Sequence, residues 1–195
     1  METINQNNLL QFLNSFTKVE NTCNHAKFKG WNDWEPSFES LPVKVGQIDQ
    51  KVMRHPEKYW GVDALIKLDE YPYAQCEIHQ CPACQALFFF YYEDGGHARR
   101  KRYRLIQKEL IDIESIVPTQ RCKISSDSYH YTIYKNPDLT FELVICKPIA
   151  LGVDIYHILT NEEVKSFKKE GIAALENRMR DMDKNYSNYR VESWR

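Results

Sequence analysis

Cysteine and histidine are concentrated in the stretch Cys76-Glu-Ile-His-Gln-Cys-Pro-Ala-Cys84. Two thiolates three positions apart in a tight turn, as at Cys81 and Cys84, can bind one Zn²⁺ at about 2.3 Å. A tetrahedral site needs two further ligands, and Cys76 and His79 are the nearest in the sequence. Thiolate and imidazole ligands together favour zinc over the harder cations. The stretch therefore predicts a zinc site formed by these four residues.

Other ligand sets remain open. Zinc ribbons usually separate their two ligand pairs by about a dozen residues or more, whereas here all four ligands fall between residues 76 and 84. Either Cys23 with His25, or His97, is an alternative source of the missing ligands. Gln85 stands where zinc-binding turns often have glycine, which adopts positive φ without strain. The alternative without a metal is a group of reduced, partly buried thiols.

The same pair has the Cys-x-x-Cys spacing of thioredoxin-type redox motifs. In that chemistry a helix N-terminus lowers the pKa of the first cysteine. Residues 86–92 are instead Ala-Leu-Phe-Phe-Phe-Tyr-Tyr, a composition that favours a strand. The sequence therefore argues against a redox centre.

A basic segment, Arg99-Arg-Lys-Arg-Tyr-Arg104, follows. In a strand, Arg100, Arg102 and Arg104 would share one face and could contact phosphates together. A nucleic-acid-binding domain usually carries a clear basic excess, but the net charge here is −1. A solvated hairpin tip or a contact with a protein partner is the preferred interpretation, and nucleic-acid binding is not expected to dominate.

Catalytic motifs are missing from the sequence. It contains no Gly-x-Ser-x-Gly, no His-Glu-x-x-His and no phosphate-binding loop. His130, His157, Cys122 and Cys146 offer the residue types of a Cys–His pair, but the sequence does not place them together. We therefore expect no enzymatic activity.

The sequence pattern that positions these residues predicts an α+β fold. We expect one domain over residues 1–195: a helical and irregular region at 1–72, a hairpin-rich antiparallel sheet of about five strands at 74–159, and a long C-terminal helix at 160–186. Residues 4–20 have helical periodicity, and strands are predicted at 74–79, 86–93, 98–106 and 153–159. Thr160-Asn-Glu-Glu163 is a capping box that begins the last helix. The tail after residue 186 keeps apolar side chains and is expected to pack against the fold.

The N-terminus lacks the basic and apolar segments of a signal peptide. The longest apolar run, at 86–92, is far short of the roughly 20 residues of a membrane span. We expect a cytoplasmic chain without a membrane partner, whose cysteines are reduced or bind metal.

Residues 78–96, with a Cys-Pro-x-Cys turn, an aromatic strand and a Gly-Gly turn, resemble a stretch found in small bacterial proteins of toxin–immunity systems. The resemblance implies an immunity protein, of the contact-dependent inhibition or polymorphic toxin type, that binds and blocks a cognate toxin domain.

The leading hypothesis is thus a non-catalytic protein that binds a cognate toxin. Tryptophan, tyrosine and arginine are enriched at interface hot spots, so the candidate contacts are Trp31, Trp34, Arg100, Arg102 and Arg104. The alternative is a zinc-containing nucleic-acid-binding or regulatory protein that uses Cys81, Cys84 and the basic segment. The sequence leaves the oligomeric state open.

Overall fold

The computed structural model describes residues 3–15, 23, 25–34, 41–50, 59–94, 98–127, 130–149 and 152–194. The chain divides into two compact units, Met1–Val117 and Pro118–Arg195. Each unit contains an antiparallel five-stranded sheet, so the predicted α+β class with antiparallel pairing is confirmed. The prediction of a single sheet of about five strands is wrong, because the strands of the 74–159 region are shared between two sheets.

The first sheet has the strand order β1-β5-β4-β3-β2. Its strands are β1 (Asn32–Asp33), β2 (Val43–Gln47), β3 (Glu77–Gln80), β4 (Leu87–Glu93) and β5 (Arg100–Leu105). The three strands predicted between residues 74 and 106 are therefore present, although the first begins later, after a 3-10 turn at Tyr73–Gln75. The turn predicted at residues 94–96 lies mostly outside the described residues.

Helix is scarce in the first unit. The described residues hold one α-helix there, α1 (Leu9–Ser15), and 3-10 turns such as Ala26–Lys29. The predicted helix over residues 4–20 is thus much shorter where it is described, and residues 16–20 lie outside the described part. Residues 51–58 of the predicted helical and irregular region lie outside the described part as well.

The second sheet has the order β10-β9-β8-β7-β6. Its strands are β6 (Cys122–Asp127), β7 (Tyr131–Lys135), β8 (Phe141–Lys147), β9 (Val153–Ile158) and β10 (Arg190–Ser193). The tail packs as expected, because β10 pairs with β9. One face of the sheet buries Ile133, Leu143, Ile145 and Ile155, the alternation that the sequence shows along these strands.

The C-terminal helical stretch consists of α2 (Asn161–Glu170), a 3-10 segment (Gly171–Leu175) and α3 (Glu176–Lys184). The predicted capping box is confirmed: the Thr160 side chain accepts from the Glu163 N–H, and the Glu163 carboxylate accepts from the Thr160 N–H. Gly171 has φ of 69° and ends α2. Glycine adopts this conformation without a Cβ penalty. The long C-terminal helix that the sequence predicts is thus present, with a 3-10 segment that begins at Gly171. No helix in the described part of the chain is long and apolar enough to cross a membrane.

The Glu163 carboxylate joins three elements of the second unit. It lies 2.9 Å from Nε2 of His157 on β9 and 2.7 Å from Nε of Arg178 on α3, in addition to capping α2. Burial alone would raise the pKa of Glu163, but hydrogen bonds from the Thr160 backbone, Arg178 and His157 outweigh burial and lower the pKa to about 2. This stabilisation is present above the ordinary glutamate pKa and is lost as the pH falls toward 2.

Glu163→Gln should therefore destabilise the second unit in a pH-dependent way. We expect a loss of about 1–2 kcal/mol at pH 7, which shrinks as the pH is lowered from about 5 to 3. Urea unfolding of the full chain at several pH values measures this. Glu162→Gln, an exposed change in the same helical turn, is the control. An equal loss at pH 7 and pH 3 would contradict the assignment.

Candidate metal centre

The turn between β3 and β4 presents Cys81 and Cys84 on the same side. The Cys81 carbonyl accepts from the Gln85 N–H at 2.8 Å, and the Ala86 carbonyl accepts from the Cys81 N–H at 2.9 Å. These bonds close the turn over the Cys-Pro-Ala-Cys sequence. Gln85 has φ of 62°, the left-handed conformation that glycine usually supplies after a metal-binding cysteine pair. The glutamine therefore changes the residue but not the shape of the turn.

Cys23 and His25 reach this turn from the N-terminal side. They precede the 3-10 turn at Ala26–Lys29, in which the His25 carbonyl accepts from the Phe28 N–H. Cys23 Sγ lies 4.0 Å from Cys81 Sγ, 58 residues away. His25 Nε2 lies 3.1 Å from Cys84 Sγ. The four side chains Cys23, His25, Cys81 and Cys84 offer ligand atoms that all lie within 4.8 Å of one another, close enough to bind one metal ion.

The separation of the Cys23 and Cys81 sulfurs suits a tetrahedral site. Two sulfurs bound to one zinc at about 2.3 Å stand about 3.8 Å apart, near the 4.0 Å between Cys23 and Cys81. Four protein ligands would fill the tetrahedron and leave no position for substrate. Such closed sites are structural, whereas catalytic zinc keeps an open position.

An aromatic core encloses the cluster. Phe28, Phe88, Phe90 and Tyr103 are buried with Cys81 and Cys84, and Cys23 and Trp34 pack against them. The His25 ring meets the Phe88 ring edge-on at 5.0 Å between centroids. Because β4 places Phe88 and Phe90 on one face, the aromatic strand that follows the cysteines forms one wall of the site.

Hydrogen bonds distinguish the two sulfurs of the turn. Burial alone would raise the pKa of the Cys81 thiol, but the backbone N–H groups of Cys84 and Ala83 donate to its sulfur and the pKa is lowered. Burial, together with the adjacent Cys81 sulfur, raises the pKa of Cys84 to about 12. Burial lowers the pKa of His25, which favours the neutral imidazole that binds metals.

Cys76 and His79, the other two predicted ligands, do not join the cluster. The Cys76 thiol is buried and donates to the Pro72 carbonyl at 3.1 Å. His79 Nδ1 lies 3.2 Å from the Pro42 carbonyl, and its Nε2 lies 2.8 Å from Glu77 Oε2. Because β3 is extended at about 3.3 Å per residue, it carries Cys76 away from Cys81. The alternative pair named from the sequence, Cys23 and His25, forms the cluster with Cys81 and Cys84 instead. His97 lies outside the described residues.

The predicted partner contacts are divided between surface and interior. Trp31 is only 5% exposed and Arg104 is 0% exposed, which corrects their assignment to a contact surface. Trp34 is half-buried and stacks on Phe28 at 4.8 Å. Arg100 is exposed.

Ion pairs occupy much of the basic segment. Arg102 pairs with Glu93 at 2.6 Å and Asp33 at 3.3 Å. Arg99 pairs with Asp94 at 2.9 Å. The basic segment therefore does not present the continuous cationic face that phosphate binding would use.

An exposed apolar loop was not identified from the sequence. Trp60, Val62 and Leu65 are 42%, 52% and 56% exposed. The buried Arg104 guanidinium holds the backbone of this loop, donating to the Ala64 carbonyl at 2.7 Å and to the Tyr59 carbonyl at 3.4 Å. The loop is held by Arg104, which is about 40 residues away along the chain, so no local sequence pattern reveals it.

In three comparisons, no family model, no curated protein and no solved structure matches the chain.

Gln85→Gly should stabilise the cysteine turn. Glycine removes the strain of placing a Cβ at φ of 62°. We expect this gain to exceed the free energy that glycine adds to the unfolded state, for a net stabilisation of up to about 1 kcal/mol. Urea unfolding measures the change. Ala83→Gly, within the same turn but without positive φ, should destabilise the chain, and the same sign for both changes would contradict this account.

Proposed function

We propose that the chain is a non-catalytic binding protein whose first unit is stabilised by a structural Zn²⁺. The cluster of Cys23, His25, Cys81 and Cys84 carries the proposal, because its ligand atoms lie within 4.8 Å of one another inside an aromatic core. Three sulfurs and one imidazole are the donor set of structural zinc sites. The metal would link the N-terminal segment to the β3–β4 turn.

Metal analysis tests the zinc assignment directly. Protein purified from zinc-supplemented medium without a metal-affinity tag should contain one zinc per chain by elemental mass spectrometry. Replacement by Co²⁺ should give the intense visible absorption of a tetrahedral thiolate site, with sulfur-to-cobalt charge transfer in the near ultraviolet. A metal-free chain that gives no such spectrum when Co²⁺ is added would refute the proposal.

The Trp60–Leu65 loop supports a protein-binding role. It exposes three large apolar side chains, and the Arg102 guanidinium lies 5.2 Å from the centre of the Trp60 ring. Tryptophan and arginine are typical of interface hot spots. The hydrogen bonds from Arg104 hold the loop in place, so little entropy would be lost when a partner binds.

The partner that we propose is the cognate bacterial toxin implied by the resemblance at residues 78–96. On this proposal the chain is an immunity protein, and the loop contributes to the surface that blocks the toxin. The ion pairs at Arg99 and Arg102 and the burial of Arg104 do not favour the nucleic-acid-binding alternative.

Co-expression tests the immunity role. Growth of cells that express the toxin encoded beside this chain should be restored by the wild-type chain, and the two proteins should co-purify. Trp60→Ser should weaken binding by about tenfold or more, as expected for a central aromatic contact. Trp194→Ser, which changes another exposed tryptophan, is the control. If the wild-type chain neither restores growth nor binds the toxin, the immunity proposal is wrong.

A further inference from the structure

Cys23 is the most accessible sulfur of the metal-binding cluster. It is half-buried, whereas Cys81 and Cys84 are buried. An oxidant in solution therefore reaches Cys23 first. Its sulfur is also 4.0 Å from Cys81 Sγ, so only about 2 Å of approach separates the pair from the length of a disulfide bond.

We propose that Cys23 is an oxidation site at which hydrogen peroxide releases the metal by forming a Cys23–Cys81 disulfide. This inference rests on the proposed zinc site. In the first step the Cys23 thiolate attacks one peroxide oxygen, giving the sulfenic acid and hydroxide. In the second step the Cys81 thiolate attacks the sulfenic sulfur, which forms the S–S bond and expels a second hydroxide. The two sulfurs together lose two electrons, and peroxide gains them.

The pairing determines what happens to the metal. A Cys23–Cys81 disulfide removes one ligand from each half of the site and leaves only His25 and Cys84. Two ligands do not hold zinc in a closed tetrahedral site. The disulfide would replace the metal link between the N-terminal segment and the β3–β4 turn by a covalent bond, and reduction would restore the metal-binding state.

Cys146 provides a matched control on the same chain. It is half-buried like Cys23 but lies in the second unit, on β8, outside the cluster. Cys146→Ser should leave peroxide-driven zinc release unchanged. Cys23→His keeps four nitrogen and sulfur ligands while removing the attacking sulfur, so it should retain zinc and slow the release by about tenfold or more.

The experiment uses the full zinc-loaded chain, and its zinc content is measured before oxidation. Hydrogen peroxide is added, zinc release is followed with a chromogenic chelator, and the disulfide is mapped by mass spectrometry of non-reduced peptides. We expect one zinc released per Cys23–Cys81 disulfide formed, and recovery of binding after reduction and addition of zinc.

Three results would overturn the inference. The inference fails if the zinc-loaded wild-type chain keeps its metal in peroxide, releases it while forming only a Cys81–Cys84 disulfide, or releases it no faster than Cys23→His does. The disulfide map of the wild type decides the matter even if Cys23→His does not fold. A chain that contains no zinc before oxidation instead contradicts the proposed metal site itself, so the two failures are distinguishable.

Discussion

Cys84→Ser should purify without stoichiometric zinc and should unfold at a markedly lower temperature. Serine nearly preserves the volume of cysteine but is a poor zinc ligand, so the loss reports on the metal rather than on packing. Metal binding supplies folding free energy at structural sites, and we expect the unfolding midpoint of the first unit to fall by about 10–20 °C. Elemental analysis and calorimetry measure the two effects. Removal of zinc from the wild-type chain by a strong chelator should produce a similar shift.

Cys76→Ser is the matched control. Cys76 is also buried in the first unit, but its thiol contacts the Pro72 carbonyl rather than the cluster. A serine hydroxyl can donate to the same carbonyl, so this variant should keep its zinc. His25→Gln and His79→Gln form a second pair with the same expected contrast. If Cys76→Ser or His79→Gln loses zinc while Cys84→Ser keeps it, the proposed assignment of the site residues is wrong.

Arg104→Met should be among the most destabilising single changes in the first unit. The guanidinium is 0% exposed and has no carboxylate partner among the described residues. It donates instead to backbone carbonyls of the exposed loop and to the Tyr73 hydroxyl. Methionine fills part of the space but removes the donor to the buried Tyr73 hydroxyl and to the part-buried Tyr59 and Ala64 carbonyls. We expect a loss of about 3–5 kcal/mol in urea unfolding.

Arg100→Met tests the same chemical change at the surface. Arg100 lies on the same strand and the same face as Arg104 but is exposed. Its replacement should change the free energy of unfolding by no more than about 0.5 kcal/mol. Equal losses for the two variants would show that Arg104 does not stabilise the loop. On the immunity proposal, Arg104→Met should also weaken binding to the proposed toxin, because Arg104 holds the backbone of the exposed loop.

Local patterns in the sequence predicted local structure well. The apolar pattern of residues 153–159 located β9 of the second sheet, and the Thr160–Glu163 spacing located the start of α2. The Cys81–Cys84 spacing likewise predicted the half of the candidate site that lies within one turn. Each of these features depends on residues only a few positions apart, whose relative geometry the backbone largely sets.

The other half of the candidate site required the tertiary structure. Cys76 and His79 were the nearest ligands along the chain, but β3 extends and turns them toward other partners. Cys23 and His25 were named only as alternatives, because nothing local indicates that a segment 58 residues away reaches the turn.

The same limit applies to the strands and to the arginines. The sequence determined that Arg100, Arg102 and Arg104 share a face, but only the packing of the first unit decides that the first is exposed and the last is buried. It determined that the chain is rich in antiparallel strands, but not that they form two sheets in two compact units. Strand periodicity reports which way a side chain points. Burial and strand partnership depend on contacts between distant segments, which only the folded chain brings together.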